Sequence, residues 1–254
     1  MNRIVSLVPS ITELLCDLGL AEQIVGRTGF CIHPREVVRR IPKVGGTKSV
    51  NIEKVRALEP THVIVNVDEN EKPTADAIAQ FVPHLIVTHP LAPLDNLDLY
   101  RRMGGLFGAQ ARAETLCAEF RAAFSAAAKQ TFAGRTVLYL IWKDPWMTVS
   151  RDTYISRTLA LFGLNTAPLE ATARYPELTL NEPWLESVEW VLLSTEPYSF
   201  RERHLQEISA RLGKPAVRID AEMTSWYGSR AIRGLGYLTA FTARLSQASP
   251  PRAA

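Results

Sequence analysis

Apolar residues along the chain occur in two ways, as short continuous runs and as longer stripes at helical spacing. The run at 4–8 predicts a strand. Ile11, Leu14, Leu15 and Leu18 then recur at i, i+3, i+4 and i+7, which predicts a helix over 10–18. Ser10 and Glu13 fit an S-x-x-E capping box at its start, and Gly19 stands where a left-handed residue closes a helix. In "NIEKVRALEPTHVIVN", Asn51 caps a short helix, Pro60 stops it, and 63–65 form a buried strand. A helix over 73–80, a strand over 84–88 and a helical pattern near 94–107 follow.

The longest helical signal is "AQARAETLCAEFRAAFSAAAKQ", 109–130, rich in Ala and free of Gly and Pro. At 1.5 Å per residue it would run about 33 Å. Beyond Gly134 the pattern predicts strand 136–141, helices 153–162 and 182–187, strand 189–193, helix 201–211, strand 215–219 and a last helix over about 229–246. Strands alternating with helices imply parallel sheets. The expected fold is therefore α/β, two lobes (1–108 and 132–254) with mainly parallel central sheets, joined by one long rigid α-helix over 109–131. The halves echo one another loosely, as in "LLCDLGL" and "LALFGL"; internal duplication and independent α/β units both account for that. Open α/β sheets bind ligands at the carboxyl ends of their strands, so two such ends facing each other would make a cleft.

Composition narrows the function classes. Of 254 residues 46% are apolar and 22% charged, enough for a sizeable core, and a net charge of +3 is too small to argue for nucleic acid. The first apolar run is too short for a secretory leader, which makes the chain cytoplasmic if Met1 is its true start. Cys16, Cys31 and Cys117 are an odd three with no disulfide framework; Cys16 and Cys117 read as buried small hydrophobes.

Several stretches could carry chemistry. "GGTKS" at 45–49 lacks the spacing of a phosphate loop and reads as a turn. In "FCIHP" Cys31 and His33 are too few for a zinc site. Either His33 bonds backbone in a loop or it faces a ligand or that ligand's metal, while Pro34 opens a helix. Trp142, Trp146, Trp226 and Tyr227 lie near strand ends, where large stiff rings either pack over the core or suit a flat macrocycle; core packing explains one such ring more readily than four. "VDENEK" at 67–72 reads as a solvated acidic turn, and Arg174 and Tyr175 stand in a loop of the second half. No G-x-S-x-G elbow or other nucleophile motif is present, and the chain reads as non-catalytic.

"RIVSLVPSITELLCDLGL", "KVGGTKSVNIEKVRALEPTHVIVN", "DPWMTVSRDTYISRTLALFGL" and "TSWYGSR" occur in an order that resembles the cobalamin/iron-siderophore family of periplasmic substrate-binding proteins, nearest to its cobalamin-binding members. The likeness covers Arg3 to about Leu245. It implies a monomeric, periplasmic two-lobed binder that carries cobalamin, a related corrinoid or another metal chelate to an inner-membrane ABC permease, with no cofactor of its own. Trp142, Trp146, Trp226 and Tyr227 would flank the ligand, and His33 would contact it, as an axial ligand of its metal where that metal has an open position. Ser10, Phe30, Arg174 and Tyr175 complete the candidate contacts. Glu53 matches a carboxylate that docks on the transporter; its partner is replaced by Gly228-Ser229, which leaves Glu222 as the stand-in. Heme or an iron-siderophore is the alternative cargo, and an enzyme or chelatase on the same scaffold the alternative class.

Overall fold

In the computed structural model, which describes residues 2–248, the first apolar run forms strand β1 (Ile4–Ser6) at the middle of a sheet. β2 (Ile24–Arg27) pairs with it on one side and β3 (His62–Asn66) on the other, with β4 (His84–Thr88) beyond β3. All three pairings are parallel. The connecting helices are α1 (Pro9–Asp17), α2 (Arg35–Val38), α3 (Ile52–Ala57) and α4 (Lys72–Ala79). Val5, Leu7, Val44, Val55, Val63, Val65, Ile78 and Val82 form one apolar cluster in this unit. A parallel strand covered on both faces reads as a continuous apolar run, which is why 63–65 is Val-Ile-Val.

Contacts divide the chain into two units. Of the described residues, the first holds 2–90, Leu94–Glu119 and Tyr227–Arg230; the second holds Leu91–Pro93, Phe120–Trp226 and 231–248. After α5 (Asp95–Phe107), helix α6 (Gln110–Ala128) passes from one unit to the other. The short segment 227–230, late in sequence, thus packs with the first unit.

The second unit is built on β5 (Arg135–Trp142), the longest strand. β9 (Trp190–Ser194) and then β10 (Ala216–Ile219) run parallel to it on one side, and β7 (Leu164–Thr166) pairs parallel with its start. Two short strands, β6 (Trp146–Thr148) and β8 (Glu177–Leu178), add antiparallel pairings that the sequence pattern did not indicate. Helices α7 (Tyr154–Ala160), α8 (Glu202–Leu212), α9 (Ala221–Ser225) and α10 (Arg230–Gln247) complete the elements named here. The segment expected as a helix over 182–187 is a 3-10 helix, Pro183–Ser187, after Glu182.

Local signals near the helix ends hold in part. Gly19 has φ 81°, and the amides of Gly19 and Leu20 return to the carbonyls of Cys16 and Leu15, the paired bonds of a Schellman end. Asn51 accepts the Lys54 amide at 2.9 Å, as expected of a cap. The capping box does not form. The N-cap of α1 is Val8, Pro9 occupies the first turn, and the Glu13 carboxylate turns elsewhere. It receives Arg230 Nε at 2.7 Å and Nη2 at 2.8 Å, a two-pronged pair with both side chains buried. Pro34 likewise stands outside its helix, as the N-cap of α2. Cys16 is half-buried rather than buried, and none of the three thiols is in a disulfide.

A buried pair broken on one side leaves an uncompensated charge. Glu13→Ala is expected to lower unfolding stability by about 3–5 kcal/mol, and a Glu13→Met/Arg230→Met double variant to regain most of it. Urea titration checks both; equal losses in the single and double variants would contradict the pairing.

Candidate functional site

The order β2-β1-β3-β4 reverses direction at β1, so the carboxyl ends of β1 and β3 flank a topological switch point. Two asparagines shape that end. Asn66 Oδ1 accepts the Asp68 amide at 2.8 Å and its Nδ2 donates to the Thr88 carbonyl at 3.0 Å, tying β3 to β4. Asn70 accepts the Asn66 amide at 2.8 Å and donates to the carbonyls of Leu7 and Thr47 at 3.2 and 3.0 Å. Both are buried. The stretch read as a solvated acidic turn is therefore an anchored ledge. Asp68 lies 3.6 Å from His89 Nε2, and its backbone carbonyl accepts Lys48 Nζ at 3.0 Å.

The loop after β2 is held by one thiol. Cys31 Sγ sits 3.0 Å from Thr12 Oγ1 and 3.2 Å from Thr28 Oγ1, fully buried, and burial pushes the thiol up. The Gly29 amide donates to Gly45 O at 2.7 Å. "GGTKS" is a tight turn, with Gly45 at φ 119° and a side chain there forced into the Ser49 carbonyl. With its neighbours pinned, Phe30 stands 61% exposed and Ile32 beside it is exposed, while His33 is half-buried. Ser10 is buried in the first turn of α1.

In the second unit, Trp142 ends β5 and is 39% exposed, its ring meeting Tyr198 edge-on at 5.5 Å. Trp146, expected beside it, is a core residue. It is 7% exposed and stacks on Phe200 at 6.1 Å within the apolar cluster of Leu138, Leu140 and Leu193, because the bend after β5 returns β6 across the sheet. Arg174 and Tyr175 are half-buried; Arg174 Nη1 lies 3.6 Å from Asp152, and its carbonyl accepts the Ser150 amide. Sequence reasoning missed the Tyr198–Phe200 pair, which lies in an irregular segment without periodicity.

Trp226 and Tyr227, adjacent in sequence, belong to different units and neither shows an open face. Trp226 is 8% exposed, its Nε1 donates to Glu196, and the space beside it among Phe120, Tyr154, Met223 and Leu235 holds about 10 Å³, the lower edge of what one water needs. Tyr227 is 6% exposed and its hydroxyl donates to Glu69 Oε1 at 2.7 Å. Gly228, at φ 83°, follows with its carbonyl accepting Tyr100 Oη at 2.8 Å and its amide donating to Asn96. Glu53, in the first turn of α3, is exposed with Arg56 3.8 Å away, while Glu222, in the first turn of α9, is half-buried.

Among the described residues no three or more His, Cys, Asp or Glu side chains are grouped to hold a metal ion, and no helix is long and apolar enough to cross a membrane. Residues 4–213 match the family described as periplasmic binding protein. The chain belongs to the periplasmic binding protein family. A vitamin B12-binding protein of Photorhabdus laumondii is 20% identical over 76% of this chain and 70% of its own length. An uncharacterized ABC transporter substrate-binding lipoprotein of Bacillus subtilis, YvrC, is 42% identical, but over 31% of this chain and only 24% of its own length. Among solved members, the vitamin B12 binding protein BtuF of Vibrio cholerae superposes with a TM-score of 0.83 at 16% identity, covering 98% of each chain. The heme-binding protein RhuT from Roseiflexus sp. RS-1 does so with 0.81 at 24%, covering 97% of this periplasmic binding protein and 98% of RhuT. These likenesses establish the shared α/β fold.

Burial, and then the Glu69 carboxylate, push the Tyr227 phenol well above its ordinary value of 10.0. The folded state keeps a proton that the unfolded chain releases. This contribution to stability is therefore complete below about pH 10 and is lost as the pH rises above it. Urea titrations from about pH 9 to about pH 11 should show stability falling more steeply in the parent protein than in Tyr227→Phe; parallel slopes would contradict the assignment.

Proposed function

We propose that the chain is the substrate-binding protein of an ABC-type importer and that its cargo is a corrinoid, cobalamin or a close relative. The observation that carries this reading is the pair of exposed rings at strand ends. Phe30 stands on a loop pinned by Cys31, and Trp142 ends β5 against Tyr198. Rings held stiffly before binding lose little freedom on contact with a flat, bulky ligand, so more of the contact energy appears as affinity. The B12-binding relatives support the same class of cargo.

His33, three residues after Phe30, would contact the ligand in this reading and, where the chelated metal has an open axial position, would serve as its ligand. That imidazole is also the observation favouring heme as the second reading, alongside the heme-binding relatives of the same fold. Arg174 and Tyr175 stand as further contacts to polar groups of the cargo. The Trp226 and Tyr227 rings support the site by holding Glu196 and Glu69. Exposed Glu53 is the better of the two candidate docking carboxylates, since Glu222 is half-buried.

Calorimetric titration of the purified protein with cyanocobalamin and, separately, hemin tests the reading. One equivalent of cyanocobalamin is expected to bind, and Trp142→Ala to weaken it by about 2 kcal/mol, roughly 30-fold. A hemin-only response, with a visible spectrum altered in His33→Ala, would select the second reading; binding of neither would overturn both.

A further inference from the structure

A cavity lined by none of the residues assigned to the cargo lies in the second unit, where the chain after β6 passes α7 and β7. It encloses about 190 Å³ and is lined by Arg151, Ser156, Arg157, Ala160, Asn165 and Thr166. That is well above the roughly 10–15 Å³ a cavity needs on the same measure to hold one water. Five of the six lining side chains are polar and none is acidic.

The floor is built rather than incidental. Ser156 and Thr166 are buried, and their hydroxyls hydrogen-bond to each other. Two hydroxyls bring two protons. One is used between them, which leaves the second to be donated into the cavity. The Asn165 amide is a further donor on the wall, with a long bond of 3.4 Å to the Gly163 carbonyl.

The charged residues that line the cavity, Arg151 and Arg157, are both cationic. Asp152 is the acidic group here, and it is already engaged, with Arg157 Nη2 at 2.6 Å and Arg174 Nη1 at 3.6 Å. Two lining guanidiniums against one carboxylate, itself paired with Arg157, leave an excess of positive charge at the cavity. Arg151, exposed on the loop, contributes a fork of donors that suits carboxylate or phosphate oxygens.

We infer that this cavity is a binding site for a small oxyanion, with Arg151 as its charged clamp and the Ser156–Thr166 pair and Asn165 as its neutral donors. The chemistry shared by phosphate and by a small polycarboxylate is what the lining recognises. The site does not depend on the nature of the main cargo.

Amide NMR of the intact protein tests this, with sodium phosphate and sodium citrate added in separate series at ionic strength held constant with sodium chloride. Saturable shifts confined to residues near 151–157 and 164–166 in either series are expected, and the responding series names the ligand class. Arg151→Gln, an exposed change that leaves the core untouched, should weaken the response about tenfold or more. No saturable shift in either series, or shifts unaltered in Arg151→Gln, would overturn the site.

Discussion

A parallel sheet with helices on its faces has no open surface, and this constraint governs where the protein can act. In β3 and β9 nearly every side chain is buried, so the strands offer nothing to a ligand along their length. What they leave is the end where each strand stops. The exposed rings Phe30 and Trp142 both stand at or just past such ends, one in each unit.

Loops at strand ends are useful only if they hold still, and here buried polar groups do the holding. Asn66 and Asn70 satisfy backbone groups of three neighbouring segments, and Cys31 fixes its loop between two threonines. The Glu13–Arg230 pair and the Tyr227–Glu69 bond fasten the segment 227–230 to the first unit across a very long sequence separation. Each device gives a buried polar atom its partner, so losing that partner is costly. Positioning by buried hydrogen bonds, with rings left in the open, is a coherent design for binding.

The regular elements were legible from spacing because packing and periodicity agree there: strand 84–88, the Asn51 cap and the glycine after α1 all stand as the pattern predicts. Glu13 was misread for a physical reason. A carboxylate three residues after a serine has a local partner in prospect, yet a buried arginine over two hundred residues away offers two charge-assisted bonds. Trp146 was misread because strands of two or three residues, such as β6 and β8, leave no periodic trace, so the turn that carries its ring into the core is invisible. The asparagines at 66 and 70 look like ordinary loop residues until the strand order makes their carbonyl partners neighbours.

The most direct measurement is a crystal structure of the protein grown with cyanocobalamin. The account predicts the corrinoid in contact with Phe30, with Trp142 or with both, ring atoms within about 4.5 Å. A corrinoid bound away from both rings, or crystals that exclude it at saturating concentration, would contradict it.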